Sequence, residues 1–65
     1  MANTNHPYTV RTITEDGILV SVDSDFSEDA RWDFFNETLR QAQVGEIVQL
    51  INDEDNHIEA ESRAE

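Results

Sequence analysis

Asp16-Gly17 stands between two runs that favour extended backbone, and it constrains this chain more than any other feature. Residues 8–14 are rich in Thr and β-branched side chains (Thr9, Val10, Thr12, Ile13, Thr14), and residues 18–22 read Ile-Leu-Val-Ser-Val. Asp-Gly between two such runs is the strongest short-range hairpin signal. A three-residue loop of Glu15, Asp16 and Gly17 predicts pairing of Val10 with Val22 and of Thr12 with Val20. That register collects Tyr8, Val10, Ile18, Val20 and Val22 on one face. It leaves Arg11, Ile13, Leu19 and Ser21 on the other.

Residues 23–25 read as a polar break. Ser27 is placed to cap a helix, with Glu28 and Asp29 in the first turn, where the helix dipole favours negative charge. The helix is expected over residues 27–43, closed by Gly45 in a left-handed conformation. At 100° per residue Trp32, Phe35, Leu39 and Ala42 share a stripe flanked by Phe34 and Thr38, which predicts the core face. Residues 46–52 hold a nearly continuous apolar run, residues 53–56 are turn residues, and residues 57–62 alternate as an edge strand. Met1 to Pro7 reads as a loose leader (residues 1–7), residues 8–62 as one domain, and residues 63–65 as a fraying end. The fold class expected is α+β: a small ββαββ domain with a four-stranded, mainly antiparallel sheet and one helix packed on one face.

One helix covers only one face of such a sheet. In the third strand Val48 and Leu50 point one way and Ile47 and Ile51 the other. The first hairpin adds Ile13 and Leu19 to the uncovered side. These four aliphatics form a candidate face for a homodimer or another partner, since burying each is worth roughly 1.5–3 kcal/mol.

Composition enters through charge. Fifteen Asp and Glu stand against four basic residues, all Arg, for a net charge of -11. With no Cys, disulfide scaffolds and cysteine zinc sites are excluded, and the charge opposes direct binding of nucleic acid. Asp29, Asp33 and Glu37 recur every four residues on the outer side of the expected helix, an advance of about 6 Å per step, of the same order as the phosphate spacing along a nucleic-acid strand. Like charges at this spacing weaken a helix, so the row is a candidate partner-binding ridge, with Arg40 close in angle to Asp33. Asp53, Glu54 and Asp55 extend it.

Asp53, Asp55 and His57 alternate but lack the glycine and terminal glutamate of a calcium loop, so no metal site is expected. No nucleophile, glycine-rich phosphate loop or cofactor motif stands at recognisable spacing; no enzyme and no cofactor are expected. No apolar run is long enough for a membrane span, and no basic region precedes an apolar one at the N-terminus, which predicts a cytoplasmic protein without a membrane partner.

In size, charge and compactness the chain resembles the small acidic inhibitors that phages and mobile elements make against host nucleic-acid enzymes and defence systems. The resemblance implies a basic protein surface as partner, on a nucleic-acid-binding protein or a nuclease complex. The alternative is a structural or regulatory homodimer from a halophile, acting through the apolar sheet face, with the acidity and the missing Lys due to salt adaptation.

Overall fold

The computed structural model describes residues 7–65, with Asp25 described through its backbone alone. The element order is β1 (Tyr8–Ile13), β2 (Leu19–Phe26), α1 (Arg31–Gln41), β3 (Ile47–Asn52) and β4 (His57–Arg63). The four strands form one antiparallel sheet in the order β2-β1-β3-β4. The ββαββ arrangement with one helix is therefore as the sequence reads. β2 and β3 run in the same direction on either side of β1, and strands so related need a long crossover, which α1 supplies.

The core lies between α1 and the two central strands. Tyr8, Val10, Val48 and Leu50 project from β1 and β3 onto Phe35, and Phe26, Phe34, Leu39, Ala42 and Ala60 close the margins. The rings of Phe26 and Phe34 lie 4.1 Å apart. Strand alternation sends Thr9, Arg11 and Ile13 of β1 and Ile47, Gln49 and Ile51 of β3 to the face without the helix.

The first hairpin has the expected three-residue loop. The Thr14 N–H donates to the Ile18 carbonyl, the Gly17 N–H donates to the Thr14 carbonyl, and Gly17 takes φ +88°. Beyond it the expected pairing fails. Ile13 opposes Leu19, but Thr12 opposes Ser21, Arg11 opposes Val22 and Val10 opposes Asp23. Val20 is an extra residue in β2, and such a bulge moves the side chains after it to the other face, until a second register shift between Asp23 and Phe26 returns Phe26 to the helix side opposite Tyr8. Val22 consequently joins Arg11 and Ile13 on the helix-free side, and Ser21 and Asp23 turn toward the helix. The polar break expected at residues 23–25 coincides with this second register shift, between Val10–Asp23 and Tyr8–Phe26, but β2 runs on through it to Phe26.

The helix is shorter than expected at both ends. Ser27 does use its hydroxyl as a cap, accepting from the Ala30 N–H at 3.2 Å, but it closes a separate turn that leads into α1 at Arg31. Gly45, with φ +96°, serves a turn in which the Glu46 N–H donates to the Gln43 carbonyl. Trp32 sits at the rim, 42% exposed, with its ring edge-on to Phe35 at 5.8 Å. Phe35, not Trp32, takes the centre of the stripe.

β4 carries a bulge at Glu59, which sets Ile58 opposite Ile51 on the helix-free face and Ala60 opposite Leu50 in the core. Ile58 and Ala60 thus part company, against the alternation expected. β4 ends at Arg63, and hydrogen bonding continues one residue beyond it. The Ala64 N–H donates to the Glu46 carbonyl, the Ala64 carbonyl accepts from the Gly45 N–H, and Ala64 is buried. Of the expected leader, residues 1–6 lie outside the described residues; the Pro7 carbonyl accepts from the Asp53 N–H at 2.7 Å.

Candidate functional site

Register places five of the candidate acidic residues, Asp29, Asp33, Asp53, Glu54 and Asp55, at one end of the sheet. Phe26, Tyr8, Asn52 and His57 form the last row across the four strands. The chain leaves this row twice, through residues 27–30 into α1 and through the turn of residues 53–56. Asp29 and Asp33 from the helix entry are exposed, as are Asp53, Glu54 and Asp55 from the turn. Local hydrogen bonds fix that turn. The Glu54 N–H donates to Asn52 Oδ1, the Thr9 hydroxyl donates to Asp53 Oδ2 at 2.7 Å, and Asn56 takes φ +57°. Asn is among the few residues that adopt this left-handed conformation without glycine.

The row of Asp29, Asp33 and Glu37 is not one regular helical array. Asp29 precedes the helix. Glu37 is held by Arg40 and accepts from the Gln41 side-chain amide at 2.8 Å, so part of its charge is compensated. Arg40 shares an angle with Asp33 but stands seven residues on, about 10 Å along the axis, too far to pair. Among the described residues no arginine pairs with Asp29, Asp33, Asp53, Glu54 or Asp55.

Beneath these carboxylates sits a cluster that sequence reading missed. Arg31 Nε donates to Glu59 Oε1 at 3.2 Å, and Arg31 Nη1 lies 4.0 Å from Glu28. The guanidinium carbon is 4.9 Å from the centre of the Tyr8 ring and 5.7 Å from that of Trp32. Arg31 and Glu59 are 28 residues apart, so no local pattern signals their meeting. Arg31 is the arginine of this end, and its charge is used up by Glu28 and Glu59. The exposed carboxylates around it are left uncompensated.

The Tyr8 phenol senses its own burial first and this field second. Its pKa is raised above the ordinary 10.0, first by desolvation, then by Glu59, Glu28 and Glu54, against a lowering by Arg31. The folded chain therefore holds this proton more tightly than the unfolded chain. The associated stability is complete below pH 10.0 and is lost as pH climbs through the folded value. Tyr8 is the one tyrosine of the chain, so ultraviolet titration reads it alone. The expected midpoint lies above 10.0 and falls toward it as added salt screens the glutamates. A midpoint at or below the ordinary value contradicts the burial of the phenol, and a midpoint that salt leaves unmoved contradicts the field.

Ile13, Leu19, Ile47 and Ile51, the other candidate set, all lie on the helix-free face, with Ile13 paired to both Leu19 and Ile47. Leu19 is 54% exposed and Ile51 is buried. Among the described residues no three His, Asp or Glu side chains converge as a metal site, and no helix is long and apolar enough to cross a membrane.

These features define a class: an antiparallel ββαββ domain with an acidic end and a helix-free sheet face on which aliphatic and polar side chains mix. No known protein family, curated protein or solved structure matches the chain.

Proposed function

We propose that this chain is a small acidic protein-interaction module that imitates nucleic-acid phosphates and blocks a basic groove on a nucleic-acid-binding or nuclease protein, in the manner of phage and mobile-element inhibitors of host defence. The observation that supports the reading is the acidic end itself. Asp29, Asp33, Asp53, Glu54 and Asp55 are exposed there with no arginine partner among the described residues. Two short turns anchored on one sheet row and the first turn of α1 hold their backbone, so the charges are presented by a scaffold.

The mechanism is electrostatic competition. Arginines and lysines that hold phosphates pair with these carboxylates instead, and the field of a chain at -11 speeds encounter. Such binding weakens as salt rises. Glu37 has the smallest part, since Arg40 already occupies it. No catalytic step, cofactor or direct nucleic-acid contact belongs to this reading.

The test passes proteins that bind immobilised duplex DNA, taken from a bacterial lysate, over the tagged chain. A retained protein is expected to leave when salt or free duplex DNA is added. Asp33→Asn with Glu54→Gln removes two charges from the acidic end and is expected to weaken retention about tenfold, from two charge pairs at up to ~1 kcal/mol each. Asp16→Asn with Glu65→Gln removes two charges from the opposite end and is expected to leave retention unchanged. Equal losses in the two variants overturn the reading. Circular dichroism in dilute buffer tests the halophile alternative. The chain is expected to stay folded there, and unfolding below molar salt assigns the acidity to salt adaptation.

A further inference from the structure

We propose that the helix-free face of the sheet is a two-fold interface with a second copy of this chain. α1 covers one face, and no described element covers the other. That face carries Ile13, Leu19, Val22, Ile47, Ile51 and Ile58. Leu19, Val22 and Ile58 are 54%, 49% and 41% exposed. Aliphatics in this number on an ordinary solvated sheet face would be out of place, because such a face alternates to polar.

Charge decides the occupant. Most of the surface is acidic, so two copies repel in most orientations. The helix-free face differs. Arg11 lies at its middle, donates to Gln49 Oε1 at 2.9 Å, and is the arginine that pairs with no carboxylate among the described residues. Arg63 lies there too, held by Glu15. In the row of Arg11, Gln49 opposes Glu61 on β4, and no arginine pairs with Glu61 among the described residues. The row Arg11, Gln49, Glu61 therefore reads cation, neutral, anion across β1, β3 and β4. A two-fold axis along β3 lays Arg11 of each copy over Glu61 of the other, on either side of Gln49, which is already buried and accepts from Arg11 within its own chain. Such self-complementarity is what an isologous interface requires. A uniformly basic or acidic partner would match one end of the row and oppose the other.

The sheet edges do not compete for this role. β2 is bulged at Val20 and β4 at Glu59, and bulges obstruct edge-to-edge pairing. Four strands at ~4.8 Å and six residues at ~3.3 Å give a face of about 20 by 20 Å. Across both copies that is about 800 Å², below the roughly 1,200 Å² at which stable interfaces begin, so a weak association, no tighter than the high micromolar range, is expected. Because the axis runs along the strands, the acidic ends of the two copies lie side by side at one end of the dimer, and added salt is expected to strengthen association by screening them.

Sedimentation equilibrium of the full chain over a concentration series tests this, with circular dichroism confirming the fold of each variant. The wild type is expected to pass from monomer to dimer. Arg11→Glu and Glu61→Arg are each expected to weaken the dimer about tenfold, and the double swap to restore it. Glu61→Arg makes the chain less acidic overall, so if bulk repulsion alone governed association it would strengthen the dimer. Leu19→Ser changes a half-exposed side chain without touching charge and is also expected to weaken it. A monomer at every concentration, or a Glu61→Arg chain that associates as well as or better than wild type, overturns the proposal.

Discussion

Leu50→Ala is expected to leave most of the chain unfolded in dilute buffer. Leu50 is fully buried, set with Tyr8, Val10 and Val48 under Phe35 at the middle of the only described core cluster. Truncating a buried leucine costs about 2–5 kcal/mol, the larger figures where neighbours cannot close the cavity. Here they cannot easily do so, because the cavity would open on β3, paired on both sides by β1 and β4. Domains hold about 0.05–0.15 kcal/mol per residue, so a chain of 65 residues has about 3–10 kcal/mol in all. Self-repulsion at a charge of -11 keeps it toward the lower figure. One cavity therefore removes most of the margin. Thermal denaturation by circular dichroism measures it, with Val44→Ala as the control. Val44 is 82% exposed, and its truncation is expected to stay within about 0.5 kcal/mol. Added salt is expected to recover part of the Leu50→Ala loss by screening. A variant melting within a few degrees of wild type would mean that the core is not concentrated at Leu50.

Much of this fold is legible before any coordinates. Asp16-Gly17 announces the hairpin and its three-residue loop. The alternation Ile47, Val48, Gln49, Leu50, Ile51 divides β3 between two faces, and both faces are as read. The bulges are not legible. Each inserts one residue into a strand without a glycine or proline to mark it, yet Val20 sends Val22 to the open face and Glu59 separates Ile58 from Ala60. Helical periodicity identifies the stripe of Trp32, Phe35 and Leu39 but not which member meets the sheet. That depends on where the helix begins, and Phe26 keeps its place in β2 opposite Tyr8 and against Phe34, delaying α1 to Arg31. The acidic residues are legible as exposed. Their compensation is not, because angle alone assigns Arg40 to Asp33 while distance along the axis gives it to Glu37.

Arg31→Met is expected to cost about 2–3 kcal/mol, the largest effect of any substitution outside the apolar core. The Arg31 side chain is 18% exposed and that of its partner Glu59 is 23% exposed, so this pair is less solvent-screened than the other ion pairs. Two ring contacts at about 0.5–1 kcal/mol each and a partly desolvated ion pair of about 1 kcal/mol account for the figure. The loss also leaves Glu59 half-enclosed with only the Asn52 side-chain amide, at 3.4 Å, to satisfy it, and an isolated enclosed charge is worse than no pair at all. Glu59→Gln in the Arg31→Met background is therefore expected to recover part of the stability, whereas in the wild-type background it should destabilise. That change of sign, measured by denaturant unfolding, distinguishes a charge pair from simple packing by the arginine stem. The Tyr8 phenol supplies a second reading. Arg31 lowers its pKa while Glu59 and Glu28 raise it, so Arg31→Met is expected to push the phenol higher still and Glu59→Gln to bring it down. If stability falls but the phenol does not move, Arg31 acts through packing alone. The negative field at the acidic end would then be weaker at Tyr8 than its neighbours Glu59, Glu28 and Glu54 imply.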